Sequence, residues 1–154
     1  MSQMKIGKNV FINSNMLAMA RGGITIEDGV QIAGNVQLLS NNHDPYDLAV
    51  LTCKPVVIKE AAWIGAGSTI LPGVCVGRHA IVGAASVVTK DVPDYAVVVG
   101  NPAKVIRMLD KEIDLMRNMR KNYKNRADYN GYHVVSPVLN LSYCTFTSPA
   151  STFL

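Results

Sequence analysis

The sequence predicts an all-β protein wound as a parallel β-helix of triangular section, and three observations carry that prediction. Aliphatic β-branched residues recur at every sixth position, at Ile58, Ile64, Ile70, Val76, Val82 and Val88. Four residues after each stands a small or compact residue: Ala62, Ser68, Val74, Ala80, Ser86 and Val92. Glycine follows the aliphatic at Gly65, Gly77 and Gly83. A period of six fits neither a helix, which repeats about every 3.6 residues, nor a plain strand, which repeats about every two. It does fit a coil with three short flat sides and three tight corners, in which the aliphatic of each side points inward. Such coils stack roughly 4.8 Å apart by parallel pairing, and each buries its aliphatics against the coils above and below. An ordinary β-sandwich would need the aliphatic spacing and the small-residue register to coincide by chance.

Taken in order, the beat starts at Ile6 and Ile12 and resumes at Ile26, Ile32 and Leu38. Between Ala18 and Ile26 the phase slips by two residues around Arg21-Gly22-Gly23, which predicts a bulged corner. A longer break occupies residues 39–55, from Leu39-Ser-Asn-Asn-His43-Asp44-Pro45-Tyr46-Asp47 to Cys53-Lys54-Pro55. A stacked core has no use for this polar, proline-containing stretch, so it is expected to protrude as a loop, and long loops on rigid scaffolds carry function. After Val92 the pattern stops at Pro93-Asp94; Ala96 to Gly100 reads as one more strand and Asn101-Pro102 as a turn. The β-helix domain is therefore expected over residues 1–103. Residues 104–126 read as a short C-terminal helical segment, amphipathic between Asp110 and Tyr123 through Ile113, Met116 and Tyr123. Residues 127–154 fit neither pattern.

Composition bounds the function. Hydrophobic residues make up 49% and charged residues 17% of 154, a folded core rather than a disordered chain. The net charge of +4 points only weakly to anionic ligands. Eight basic residues against three acids lie between Lys104 and Arg126, a pattern that reads mostly as a solvated helix face. Cys53, Cys75 and Cys144 lack metal-type spacing and cannot all pair within one chain. Met1 to Lys8 is polar and charged, unlike a signal peptide, and no apolar run is long enough to span a bilayer. A cytoplasmic setting is expected, with neither nucleic acid nor membrane as partner.

The stretch from Ile6 to Arg107 resembles the hexapeptide-repeat acetyltransferases, and within them the maltose and galactoside O-acetyltransferase group. The carriers are Phe11-Ile-Asn13-Ser-Asn15, Ser40-Asn-Asn-His43, Trp63-Ile-Gly-Ala-Gly, Ile70-Leu-Pro-Gly73, Val87-Val-Thr-Lys-Asp-Val-Pro93 and Gly100-Asn-Pro-Ala-Lys-Val-Ile-Arg107. The resemblance implies a left-handed coil and a homotrimer with active sites in the clefts between neighbouring prisms. It implies direct acetyl transfer from acetyl-CoA to the hydroxyl of a small acceptor, without a metal. Carried over by position, His43 would be the catalytic base. Asn13 would lie on the acceptor side, together with Arg21 and Asp44. Trp63 would line the cleft beside the cofactor, Ala66 and Ala84 would meet the pantetheine arm through backbone, and Thr89, Lys90, Lys104 and Arg107 would follow the CoA tail and its phosphates. The sequence also departs from that group. It opens almost directly on the first coil, Arg21 stands where an acidic acceptor-binding residue is expected, the loop after His43 is shorter, and Asp44 follows the histidine where proline is common.

The chemistry suits those residues. Attack of a hydroxyl on a thioester requires removal of the hydroxyl proton, and imidazole, with an ordinary pKa of about 6.5, is mostly neutral and basic near neutral pH. A carboxylate or a backbone carbonyl should orient the other ring nitrogen. A backbone N–H at a coil corner would meet the oxyanion. Asn13 fits either an acceptor contact or an asparagine ladder at a corner. Trp63 should face outward, toward the cofactor or a neighbouring subunit, and Lys90, Lys104 and Arg107 fit phosphates or ordinary solvated charge. His79 falls at a corner and His133 in the tail, without a role. Three rival functions share the scaffold. A γ-class carbonic anhydrase would need three histidines on zinc, and His43, His79 and His133 show no paired spacing. An antibiotic or amino-sugar acetyltransferase and a non-catalytic binding β-helix are the others.

Overall fold

The computed structural model describes residues 3–112. The first coil holds β1 (Met4–Ile6), β2 (Phe11–Ile12) and β3 (Leu17–Met19), and the second holds β4 (Ile24–Ile26), β5 (Gln31–Ile32) and β6 (Gln37–Leu39). A hairpin of β7 (Asn41–His43) and β8 (Leu51–Cys53) then leaves the coil. The third coil follows with β9 (Val56–Ile58), β10 (Trp63–Ile64) and β11 (Thr69–Ile70), and the fourth with β12 (Cys75–Val76), β13 (Ile81–Val82) and β14 (Val87–Val88). β15 (Ala96–Gly100) and β16 (Ala103–Met108) close the stack.

Within the four coils, corresponding strands stack on the same side of the prism. Side one carries β1, β4, β9 and β12 with Val92 bridged beyond; side two carries β2, β5, β10, β13, β15 and β16; side three carries β3, β6, β11 and β14. All of these pairs are parallel except β15 with β16. The register reproduces the sixfold beat. Ile58 pairs with Val76, Ile64 with Val82 and Ile70 with Val88, each eighteen residues on. Their side chains are buried, and so are the small residues that follow them, from Ala62 to Val92. The fold is a left-handed parallel β-helix.

Both breaks in the beat fall at one corner, between sides three and one. Ile6 pairs with Ile26, twenty residues on, which locates the two extra residues at Arg21-Gly22-Gly23. Ile26 pairs with Ile58, thirty-two residues on, and the hairpin accounts for that excess. The two insertions therefore lie one above the other. Buried Ser40 joins them: its hydroxyl donates to the Met19 carbonyl at 2.7 Å and accepts from the Gly22 N–H at 2.9 Å, while its carbonyl accepts from the Lys54 N–H at 2.9 Å. Gly22 is required here, because a Cβ would collide with the Ser40 carbonyl and lie 2.8 Å from the Lys54 nitrogen.

The two ends differ. Val92, Ala96 and Val98 are buried at the far end. In the first coil, Met4, Val10, Ile12, Met16 and Ala18 are only partly buried, and Ile6 is 53% exposed although Ile26 and Ile58 in its column are buried. One expectation fails. Lys104 to Met108 is the strand β16, antiparallel to β15, and not part of a helix, because the Gly100-Asn101-Pro102 turn folds it back along a strand with open edge groups. Lys111 and Glu112 are helical; the rest of the expected helix and the tail lie outside the described residues. No helix among the described residues is long and apolar enough to cross a membrane.

Candidate active site

The expected protruding loop is a paired hairpin, held by Asn41 opposite Cys53, Asn42 opposite Thr52 and His43 opposite Leu51. Asp44 organises its tip. One carboxylate oxygen, Oδ1, accepts the Tyr46 N–H at 2.8 Å and the Asp47 N–H at 3.2 Å, and Asp47 in turn accepts the Ala49 N–H at 3.0 Å. The side-chain acceptors of Asp44 and Asp47 fix this turn locally, as Asx turns do. The turn brings the Leu48 carbonyl to 2.6 Å from Nδ1 of His43. A carbonyl oxygen only accepts, so Nδ1 carries a proton, and in the neutral ring the lone pair is on Nε2. His43 is exposed, with Nε2 free to take a proton. Asp44 therefore acts on the turn that carries Leu48, and the ring is oriented by a backbone carbonyl, which has no signature in sequence.

The remaining candidates fall into two groups. Arg21, at the corner beneath the hairpin, and Thr89 and Lys90, two coils above it, share the corner of His43, and all three are exposed. Asn13, Ala66 and Ala84 stack at the corner between sides two and three. Asn13 turns its side-chain oxygen back to the Ser14 N–H at 2.7 Å. Trp63 stands on side two, 51% exposed, in one outward column with Phe11, Gln31, Ile81 and Val97. Lys104 and Arg107 lie on β16 at the end of that side, opposite Val99 and Val97. In a triangular prism, side two is opposite the corner that bears the hairpin. One chain therefore brings His43 together with Arg21 and Asp44, but not with Trp63.

Among the described residues no three His, Cys, Asp or Glu side chains converge where a metal ion could be held. Two open grooves lie on the lower part of side one. One borders the root of the hairpin and includes Lys5, Arg21, Thr25 and Pro55; the other includes Glu27, Asp28 and Glu60. Lys5 borders both and, with Gln3 beneath the Arg21 corner, is a position that sequence reasoning missed, since only the stacking of β1 on β4 brings it there.

The coil, the phase slip and the histidine hairpin together define a class, the left-handed β-helix with a loop-borne imidazole. Residues 55–90 match the bacterial transferase hexapeptide family (six repeats), and residues 3–40 match the hexapeptide repeat of succinyl-transferase. A Saccharomyces cerevisiae protein classed by name with the acetyltransferases is 36% identical over 125 residues, covering 78% of this chain and 63% of its own length. The crystal structure of a maltose O-acetyltransferase from Clostridium difficile is 36% identical, covering 71% of this chain and 60% of that one, with a TM-score of 0.68. A galactoside acetyltransferase solved in complex with coenzyme A is 35% identical, covering 73% and 58%, with a TM-score of 0.70. The chain carries hexapeptide repeats of the kind found in bacterial transferases and is similar in sequence and fold to a maltose O-acetyltransferase and a galactoside acetyltransferase. It spans less than two thirds of the length of each of these relatives.

Proposed function

We propose that this protein is an acyltransferase that moves the acetyl group of acetyl-CoA to a hydroxyl of a saccharide, with Nε2 of His43 as general base. The observation that carries this reading is the 2.6 Å contact from Nδ1 to the Leu48 carbonyl, which puts the lone pair of the neutral ring on Nε2 of an exposed hairpin. Nε2 takes the hydroxyl proton as the oxygen attacks the thioester carbonyl carbon. The carbon–sulfur bond breaks as the tetrahedral intermediate collapses, and the imidazolium returns its proton to the departing thiolate. The Leu48 carbonyl accepts from Nδ1–H throughout and holds the ring in one orientation. A base so placed contributes about 10²- to 10⁴-fold in rate. The names of the maltose and galactoside relatives support the acceptor class, and the coenzyme A bound to the latter supports the donor.

The site is shared between copies of the chain in a homotrimer. Trp63 lies opposite the hairpin in its own chain, and Phe11 in its column is also exposed. A neighbouring copy that presents side two to the hairpin corner brings Trp63 beside His43. The cofactor then runs past Ala66 and Ala84 toward Thr89, Lys90, Lys104 and Arg107, where its phosphates meet cations. Asn13, Arg21 and Asp44 are the acceptor-side candidates.

Thiol release from acetyl-CoA, measured against neutral, amino and anionic sugars with His43→Ala in parallel, tests the reading. A sugar should stimulate release, and His43→Ala should lose about 10²-fold or more in kcat while still binding CoA. Full activity in His43→Ala would remove the histidine from the chemistry. Stimulation confined to amino sugars would move the reaction to nitrogen.

A further inference from the structure

The groove at the root of the hairpin identifies the acceptor more closely, on the reading that His43 is the base. The groove holds about 390 Å³ and is bordered by Arg21, Lys5, Thr25 and Pro55. Pro55 is where the chain re-enters the coil from the hairpin, and Gly22 is bonded to Ser40 at the opposite root. His43 is three residues out from Ser40, so its ring lies on the order of 10 Å from that root. An arginine side chain and a monosaccharide-sized acceptor together bridge that distance.

Among the described residues the groove is cationic and is lined by no carboxylate. Arg21 and Lys5 are its charged lining residues among those described. The ion pairs among the described residues are Lys59 with Asp94 and Arg78 with Glu60, so neither Arg21 nor Lys5 is neutralised within 4.0 Å. Lys5 also borders the neighbouring groove, which carries Glu27, Asp28 and Glu60, so Arg21 is the cation committed to the hairpin side. Its backbone is held firmly. The Gly23 N–H donates to the Ala20 carbonyl at 3.0 Å, and the Gln3 amide, oriented to donate, reaches the Ala20 carbonyl at 2.8 Å and the Arg21 carbonyl. An exposed guanidinium on a fixed corner is suited to an oxyanion, which it binds through two parallel hydrogen bonds.

We propose that the acceptor carries an oxyanion, a carboxylate or a phosphate ester, on the same molecule as the hydroxyl to be acetylated, and that Arg21 seats it beneath His43. Arg21 then sets specificity and takes no part in proton transfer. Uncharged sugars lack the group that fills the groove.

Thiol release from acetyl-CoA with galactose, galacturonate and galactose 1-phosphate tests the proposal, with Arg21→Gln and Arg21→Lys alongside. At least one anionic sugar should exceed galactose by about tenfold in kcat/KM, expressed in KM, and which of the two it is separates carboxylate from phosphate. Arg21→Gln should abolish that preference, Arg21→Lys should keep most of it, and added salt should shrink it. Equal rates on the three sugars, or a preference that Arg21→Gln leaves intact, overturn the assignment. If no sugar drives thiol release, the acetyl-transfer reading is what has failed. Calorimetric titration of galacturonate and galactose 1-phosphate then decides the groove alone: binding lost in Arg21→Gln upholds the oxyanion site, and no binding to the wild type overturns it.

Discussion

His43 owes its orientation to Leu48, and Leu48 owes its position to Asp44, whose Oδ1 accepts two backbone N–H groups of the intervening turn. Replacing Asp44 by Ala removes both acceptors, each worth on the order of 1 kcal/mol. Asp44→Ala should therefore lower kcat about tenfold with KM for acetyl-CoA unchanged, and Asp44→Asn should recover most of the loss. A change confined to KM for the acceptor would instead place Asp44 against the substrate. Gly22 is constrained from another direction. A Cβ there meets the backbone of Ser40 and Lys54, which cannot yield as a side chain would. Gly22→Ala should cost about 1–3 kcal/mol in urea unfolding and also slow the reaction, because it displaces the root of the hairpin. Cys75 is quieter. Burial pushes its thiol above the ordinary range, Lys59 opposes this, and Asp91 and Asp94 add to it. A raised value leaves less thiolate at a given pH, so Cys75 should alkylate more slowly in the native protein than in the unfolded chain at pH 8. That part of the gap should close as pH rises past the raised value, as peptide mapping would report.

At the scale of elements, a coil is stabilised only by its neighbours. Ile6, Ile26 and Ile58 form one inward column, yet Ile26 and Ile58 are buried and Ile6 is 53% exposed. Ile58→Ala should cost about 2–5 kcal/mol, the range for a large core truncation, and Ile6→Ala well under half as much by urea titration. Equal costs would mean that the first coil is covered in solution. The hairpin follows a different rule. Asn41-Asn42-His43 is polar throughout and no residue of Leu51-Thr52-Cys53 is buried, because neither face of this ribbon lies on the core. Its pairing is backbone to backbone, and its sequence reads as a polar break. β16 was hidden for the same reason: Lys104 to Met108 is almost wholly exposed and pairs along the last edge of side two.

For the molecule as a whole, the coils among the described residues form a gradient of stability. Inner coils open only by breaking contacts above and below, whereas among the described residues the first coil is paired on one side alone. Amides donated by the first coil to the second, such as those of Phe11 and Leu17, should exchange faster than those of Trp63 and Thr69 in the third. The proposed sharing of the site between copies of the chain adds a second expectation. His43→Ala and Trp63→Ala each damage one half of it, so co-refolded mixtures should regain part of the activity that neither variant has alone, in steady-state thiol release. No recovery would confine the site to one chain.

The sixfold beat, the phase slip and the lone histidine in a polar break were legible in the sequence, because a coil buries its side chains against nearest neighbours and each hexapeptide records its own burial. Tertiary structure alone decided the rest. It turned the break into a hairpin, made residues 104–108 a strand, set the Leu48 carbonyl against His43, and stacked Arg21 directly beneath that hairpin. These features depend on backbone groups and on which corners coincide after turns of twenty and thirty-two residues. Side-chain periodicity records the two interruptions but not the backbone pairing of the inserted residues.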